Sequence, residues 1–100
     1  MSHHILVSTE ERVTTVTISR VDKKNAITQD MYAVMADALN AYSEEDDARA
    51  FVLTGDGDMF TAGNDLQDFS TGDKGDGPRP VTRFLMAIKD CTKPVIVAVN

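Results

Sequence analysis

Phe51-Val52-Leu53-Thr54-Gly55-Asp56-Gly57-Asp58-Met59-Phe60-Thr61-Ala62-Gly63-Asn64-Asp65-Leu66 is the stretch on which the rest of the chain depends. Its apolar run, Phe51 to Thr54, reads as a buried strand that stops at Gly55-Asp56-Gly57-Asp58. A short helical pattern, Leu66 to Phe69, follows the second glycine turn. A strand that breaks into such a turn and then a helix start leaves backbone N–H groups unpaired and facing open space. Those groups suit an oxygen that carries negative charge. The plainer alternative is a connection whose glycine serves only the turn.

Upstream, residues 4–8 and 13–19 read as strands, the second rich in β-branched side chains. The polar link Thr9-Glu10-Glu11-Arg12 predicts an antiparallel hairpin. Arg20 to Ala26 is polar and irregular, hence a loop. Thr28 suits an N-cap and Asp30 the first turn of a helix. Met31, Val34, Met35, Ala38, Leu39 and Tyr42 recur at spacings of three and four, which predicts one apolar helical face ending near residue 43. The methionines on that face are core packing. Ser43-Glu44-Glu45-Asp46-Asp47 lacks the alternating ligands of a calcium loop and reads as a solvated helix end. Asp56 and Asp58 read as turn residues, so no metal site is expected.

Residues 50–54 form a third strand, and unbroken apolar character predicts burial on both faces. The stretch 70–78 holds three glycines and no large apolar side chain, which predicts a mobile surface loop. A helix then runs from Pro80 or Val81 to Cys91, with Val81, Phe84, Leu85 and Ile88 as its stripe. Lys93-Pro94 breaks it before a fourth apolar strand, 95–99, expected to be buried. Strands that alternate with helices in this order imply an α/β fold with crossover connections. Asn100 falls directly after that strand with nothing to cover it, so residues 1–100 are expected to be a fragment.

A chain with 42% hydrophobic and 26% charged residues is ordinary for a globular domain. Its net charge of −6 argues against non-specific nucleic-acid binding, which needs a basic face. Local bases can still hold phosphates. No apolar run approaches the roughly 18 residues of a membrane span, and no leader pattern opens the chain. No membrane partner and a cytoplasmic setting are therefore expected. Cys91 is the single cysteine, so an internal disulfide is excluded, and no histidine lies near it in sequence to activate the thiol. His3 and His4 read as a polar N-terminus.

Phe60-Thr61-Ala62-Gly63-Asn64-Asp65-Leu66 resembles the signature of the crotonase superfamily, the enoyl-CoA hydratases and isomerases. Its Asn-Asp-Leu wording is similar to the Δ3,Δ2-enoyl-CoA isomerase branch. Three more segments agree in order and spacing: Arg20-Val21-Asp22-Lys23-Lys24-Asn25-Ala26, the helix and strand up to Gly55, and Lys93 to Asn100. The resemblance implies a crotonase-like ββα spiral fold, of which this is the N-terminal part. It implies that Asn64 donates its backbone N–H to the thioester oxygen of an acyl-CoA, as half of an oxyanion hole. It further implies coenzyme A contacts from Lys24, Ala26, Ala62, Gly63, Asp65 and Leu66, with Lys24 near the phosphates. Asp65 has a second reading as a helix cap, and Lys24 as a solvated loop lysine. No cofactor is implied beyond the coenzyme A of the substrate, and the family's habit is a homotrimer or hexamer.

The resemblance puts the second oxyanion donor and the acid–base glutamates beyond Asn100. Glu44 and Glu45 lie on the wrong helix to replace them, and Asp68 is a weak candidate for the acyl pocket. The expected parent is an enoyl-CoA isomerase or hydratase, and the 100 residues alone should not turn over substrate. The alternatives are a non-catalytic module that holds a coenzyme A thioester and an interaction fragment that pairs through its bare strand edge. A dinucleotide-binding reading fails, because Gly55-Asp56-Gly57 lacks the third glycine and opens no helix directly.

Overall fold

The computed structural model describes residues 3–71 and 79–100. The predicted glycine-rich loop at 70–78 falls largely outside the described residues. Four strands, β1 (Ile5–Glu10), β2 (Val13–Ile18), β3 (Ala50–Gly55) and β4 (Val95–Ala98), form one sheet in the order β1-β2-β3-β4. The β1–β2 pair is antiparallel, whereas β2–β3 and β3–β4 are parallel. Each parallel step needs a crossover, supplied first by α1 (Gln29–Glu44) and then by α2 (Leu66–Thr71) with α3 (Pro80–Asp90). A mixed α/β fold was the expectation, and the elements come in the expected order.

The hairpin turn is tighter than its polar link suggests. Glu10 pairs with Val13, which leaves Glu11 and Arg12 as a two-residue turn at φ 51° and 71°. Two left-handed residues match the twist of the flanking strands. The usual Asn-Gly signal is missing here, so no local pattern announces the turn.

α1 begins as predicted, with the Thr28 hydroxyl accepting the Met31 N–H at 3.2 Å. The reciprocal half of this capping box is unusual, because the Met31 thioether accepts the Thr28 N–H at 3.4 Å. The apolar face of α1 then packs Met31, Met35, Leu39 and Tyr42 against Val16, Ile18, Phe51 and Leu53 of the sheet, and all eight are buried. Ala36 joins them, although its position was not on the predicted face.

Burial departs from expectation on the other side. β2 and β3 both alternate between half-buried and buried residues, so β3 is covered on one face rather than two. β4 is largely exposed, with Ile96 and Val97 each at 50%. On α3, Phe84 and Ala87 are buried, while Leu85 (59%) and Ile88 (40%) face away. The stripe on α3 is thus wider than α1 can cover. An apolar pattern records what a strand or helix needs to bury, and on β4 and the outer side of α3 that need is not met among the described residues.

Candidate active site

The loop after β2 is built around one side chain. Val21–Lys23 form a single 3-10 turn, and Lys24 and Asn25 follow in the left-handed region at φ 53° and 58°. Asparagine tolerates that conformation better than most residues. Asn25 is 1% exposed, and its carboxamide is fully engaged: Oδ1 accepts the Arg20 N–H at 2.8 Å. Its Nδ2 donates to the Asp56 carbonyl at 2.9 Å and to the Met59 carbonyl at 2.7 Å. The Asn25 carbonyl accepts the Thr61 hydroxyl at 2.7 Å. One buried side chain therefore joins the loop after β2 to the segment after β3.

Two glycines shape that second segment for different reasons. A Cβ on Gly55 would lie 2.6 Å from the Phe60 Cα, so the chain can fold back on itself only without a side chain there. Gly63 has open space around it but sits at φ 105°, which other residues rarely adopt. Between them the backbone runs alongside the first loop. Ile27 donates to the Gly63 carbonyl at 2.9 Å and accepts the Asp65 N–H at 2.8 Å, a parallel bridge with Asn64 at its centre.

That bridge sorts the donors. In a parallel bridge the flanking residues turn toward the partner, so the N–H of the central residue faces the opposite side. The Ala62 N–H is bound to the Lys24 carbonyl at 3.0 Å, and the Gly63 N–H to the Thr61 hydroxyl at 3.1 Å. Asp65 is held by Ile27. Of the four N–H groups from Ala62 to Asp65, the one on exposed Asn64 alone has no acceptor among the described residues. The sequence predicted several open donors, and three of these four are taken up by the fold.

Asp65 is a structural carboxylate. Its Oδ2 accepts Arg20 Nη1 at 2.8 Å, and its Oδ1 accepts the Asp68 N–H at 2.9 Å, which caps α2. The Asp68 N–H first, and the Arg20 guanidinium second, hold its carboxyl below the usual carboxylate range. Arg20 Nη1 also donates to the Ala26 carbonyl at 3.0 Å, so one guanidinium grips both segments. Asp68 faces elsewhere, accepting the N–H of Gln29, the first residue of α1, at 2.8 Å. A small cleft of about 260 Å³ lies among Arg20, Thr28, Asp65, Gln67 and Asp68.

The remaining predicted residues surround Asn64. Lys24 is exposed and its ammonium has no partner among the described residues, while its carbonyl binds Ala62. Ala62 is exposed, Ala26 half-buried, and Leu66 82% exposed. The Tyr32 hydroxyl donates to Asn64 Oδ1 at 2.6 Å, a contact between α1 and the turn that no local pattern announces. Glu44 and Glu45 sit about 18 Å along α1 from Tyr32, at 1.5 Å per residue. Neither can act at Asn64. A larger cleft of about 480 Å³ lies at that far end, lined by Val7, Arg12, Thr14, Ala38 and Tyr42, remote from the Asn64 donor.

Comparisons with known proteins agree with this fold. The model of the family described as enoyl-CoA hydratase/isomerase matches residues 8–100. Enoyl-CoA delta isomerase 2 of Rattus norvegicus is 37% identical over 105 residues, covering 99% of this chain and 27% of that protein. The crystal structure of an enoyl-CoA hydratase/isomerase from Pseudoalteromonas atlantica superimposes with a TM-score of 0.90 at 45% identity, over 96% of this chain and 38% of that one. An enoyl-CoA hydratase from Mycobacterium tuberculosis superimposes at 0.81 with 30% identity, over 99% and 38%. The chain thus spans well under half the length of these relatives.

Proposed function

This chain belongs to the enoyl-CoA hydratase/isomerase family, and from that premise we propose that it is the N-terminal portion of an enzyme acting on acyl-CoA thioesters. In this reading the Asn64 N–H binds the thioester oxygen and stabilises the enolate formed when a proton leaves the α- or γ-carbon. A preorganised donor of this kind contributes roughly 2.7–4 kcal/mol to a transition state. The observation that supports the reading is the Asn64 N–H, which has no acceptor among the described residues while the donors of Ala62, Gly63 and Asp65 around it are taken. Lys24, whose carbonyl accepts the Ala62 N–H and whose ammonium has no partner among the described residues, would meet the coenzyme A phosphates.

The second donor and the carboxylate that moves the proton would come from residues after Asn100. Glu44, Glu45 and Asp68 are unsuited by position or by existing bonds. Coenzyme A enters as part of the substrate, so no separate cofactor is proposed. Isomerisation shifts a double bond from C3 to C2, while hydration adds water across C2 and C3 and makes the enzyme a lyase. The Asn64-Asp65-Leu66 wording favours the first. A trimer or hexamer and a cytoplasmic setting belong to the same proposal, beside relatives whose names place them in mitochondria or peroxisomes.

The test is to assay the complete protein with a 3-enoyl-CoA and a 2-enoyl-CoA while measuring binding of a saturated acyl-CoA. We expect turnover of the 3-enoyl-CoA. Binding without turnover of either thioester would favour a non-catalytic coenzyme A module. Absence of both would leave an interaction fragment, recognised by concentration-dependent association.

A further inference from the structure

We propose that Tyr32 is a positioning residue, which keeps the Asn64 carboxamide from occupying the Asn64 backbone N–H. The proposal rests on the reading that this N–H meets the thioester oxygen. It concerns how the donor is kept open.

An exposed asparagine next to a free backbone donor carries a built-in competitor. Its side-chain oxygen can fold back onto its own or a neighbouring N–H. Here that oxygen is engaged elsewhere, because the Tyr32 hydroxyl donates to Asn64 Oδ1 at 2.6 Å, short for an O–H···O bond. The planar carboxamide then carries Nδ2 on its other arm, where it has no acceptor among the described residues. The acceptor on the Asn64 side chain is thus withdrawn from the Asn64 N–H, which leaves that donor for a developing negative charge.

Tyr32 is itself held. Its ring lies edge-on to Phe69 of α2, with centroids 6.1 Å apart, and 5.8 Å from Phe84 of α3. These contacts fix the ring from both crossover helices. Its place near the start of α1 is fixed in turn by the Thr28 cap and by Asp68 on Gln29. Partial burial pushes the phenol up from its ordinary range, so it remains an O–H donor at neutral pH.

The experiment is a double-mutant cycle in the complete protein with Tyr32→Phe and Asn64→Ala. The first keeps the ring and deletes the hydroxyl; the second keeps the backbone N–H and deletes the carboxamide. We expect Tyr32→Phe to lower kcat about tenfold and to change KM by less than about twofold. In the Asn64→Ala background the same change should have no effect on kcat, because the competitor is gone. Unchanged kcat in Tyr32→Phe, or an equal loss in both backgrounds, would overturn the proposal. A melting temperature for each variant separates misfolding from misplacement. The Asn64 backbone amide resonance, followed while a saturated acyl-CoA is added, separates the two readings. If it does not shift, the oxyanion reading falls and this proposal with it; if it shifts while Tyr32→Phe turns over normally, only the positioning role falls.

Discussion

Asn25 bridges segments 31 and 34 residues apart, to Asp56 and Met59, from a left-handed position in a short loop. Replacing it with alanine would strand the Asp56 and Met59 carbonyls and the Arg20 N–H, and would place alanine at φ 58°. We expect Asn25→Ala to cost about 3–4 kcal/mol in urea denaturation. A loss under about 1 kcal/mol would mean that water replaces the carboxamide and that the two segments hold together without it. Asp65 makes a second prediction, in pH. Its folded carboxyl titrates below the unfolded value of about 3.9, so it stabilises the fold above that value. That contribution is lost as the pH falls through the lower folded value. The stability gap between wild type and Asp65→Asn should therefore close as the pH falls from neutral through that lowered folded value. A gap that stays constant would show that Asp65 acts by packing rather than by charge.

At the scale of elements, α1 and α2 meet through a carboxylate at a helix end. Asp68 of α2 accepts the first N–H of α1, while Asp65 caps α2 and Tyr32 of α1 reaches Asn64. These bonds make the start of α1 and the candidate site one mechanical unit. Asp68→Ala should then cost about 1 kcal/mol of stability, as a lost cap does, and should speed amide exchange at Gln29 and in the first turn of α1. Faster exchange confined to α2 would show that the link is incidental. The α1 face and its Thr28 cap were legible in sequence because a 3.6-residue period and a capping side chain are local properties. The Met31 sulfur in the capping box and the Glu11–Arg12 turn were not, since both use residues that seldom play those parts.

Across the whole molecule, the order of strands and helices was readable, and so was the segment that holds the site. Apolar runs at 51–54 and 95–99 located β3 and β4, and Gly63 located the turn. What escaped was long-range. Asn25, Arg20 and Tyr32 each act on a residue more than 30 positions away, and no period or spacing encodes such a partner. The degree of burial escaped as well, because exposed Leu85, Ile96, Val97 and Val99 record a demand for a covering layer and not its presence. The proposed chemistry depends on the open Asn64 N–H. Its most direct test is a crystal structure of the complete protein with a 3-oxoacyl-CoA, whose enolate resembles the intermediate. The thioester oxygen is expected about 2.7–3.1 Å from the Asn64 backbone nitrogen. An oxygen bound elsewhere, with the Asn64 N–H facing water, would contradict it.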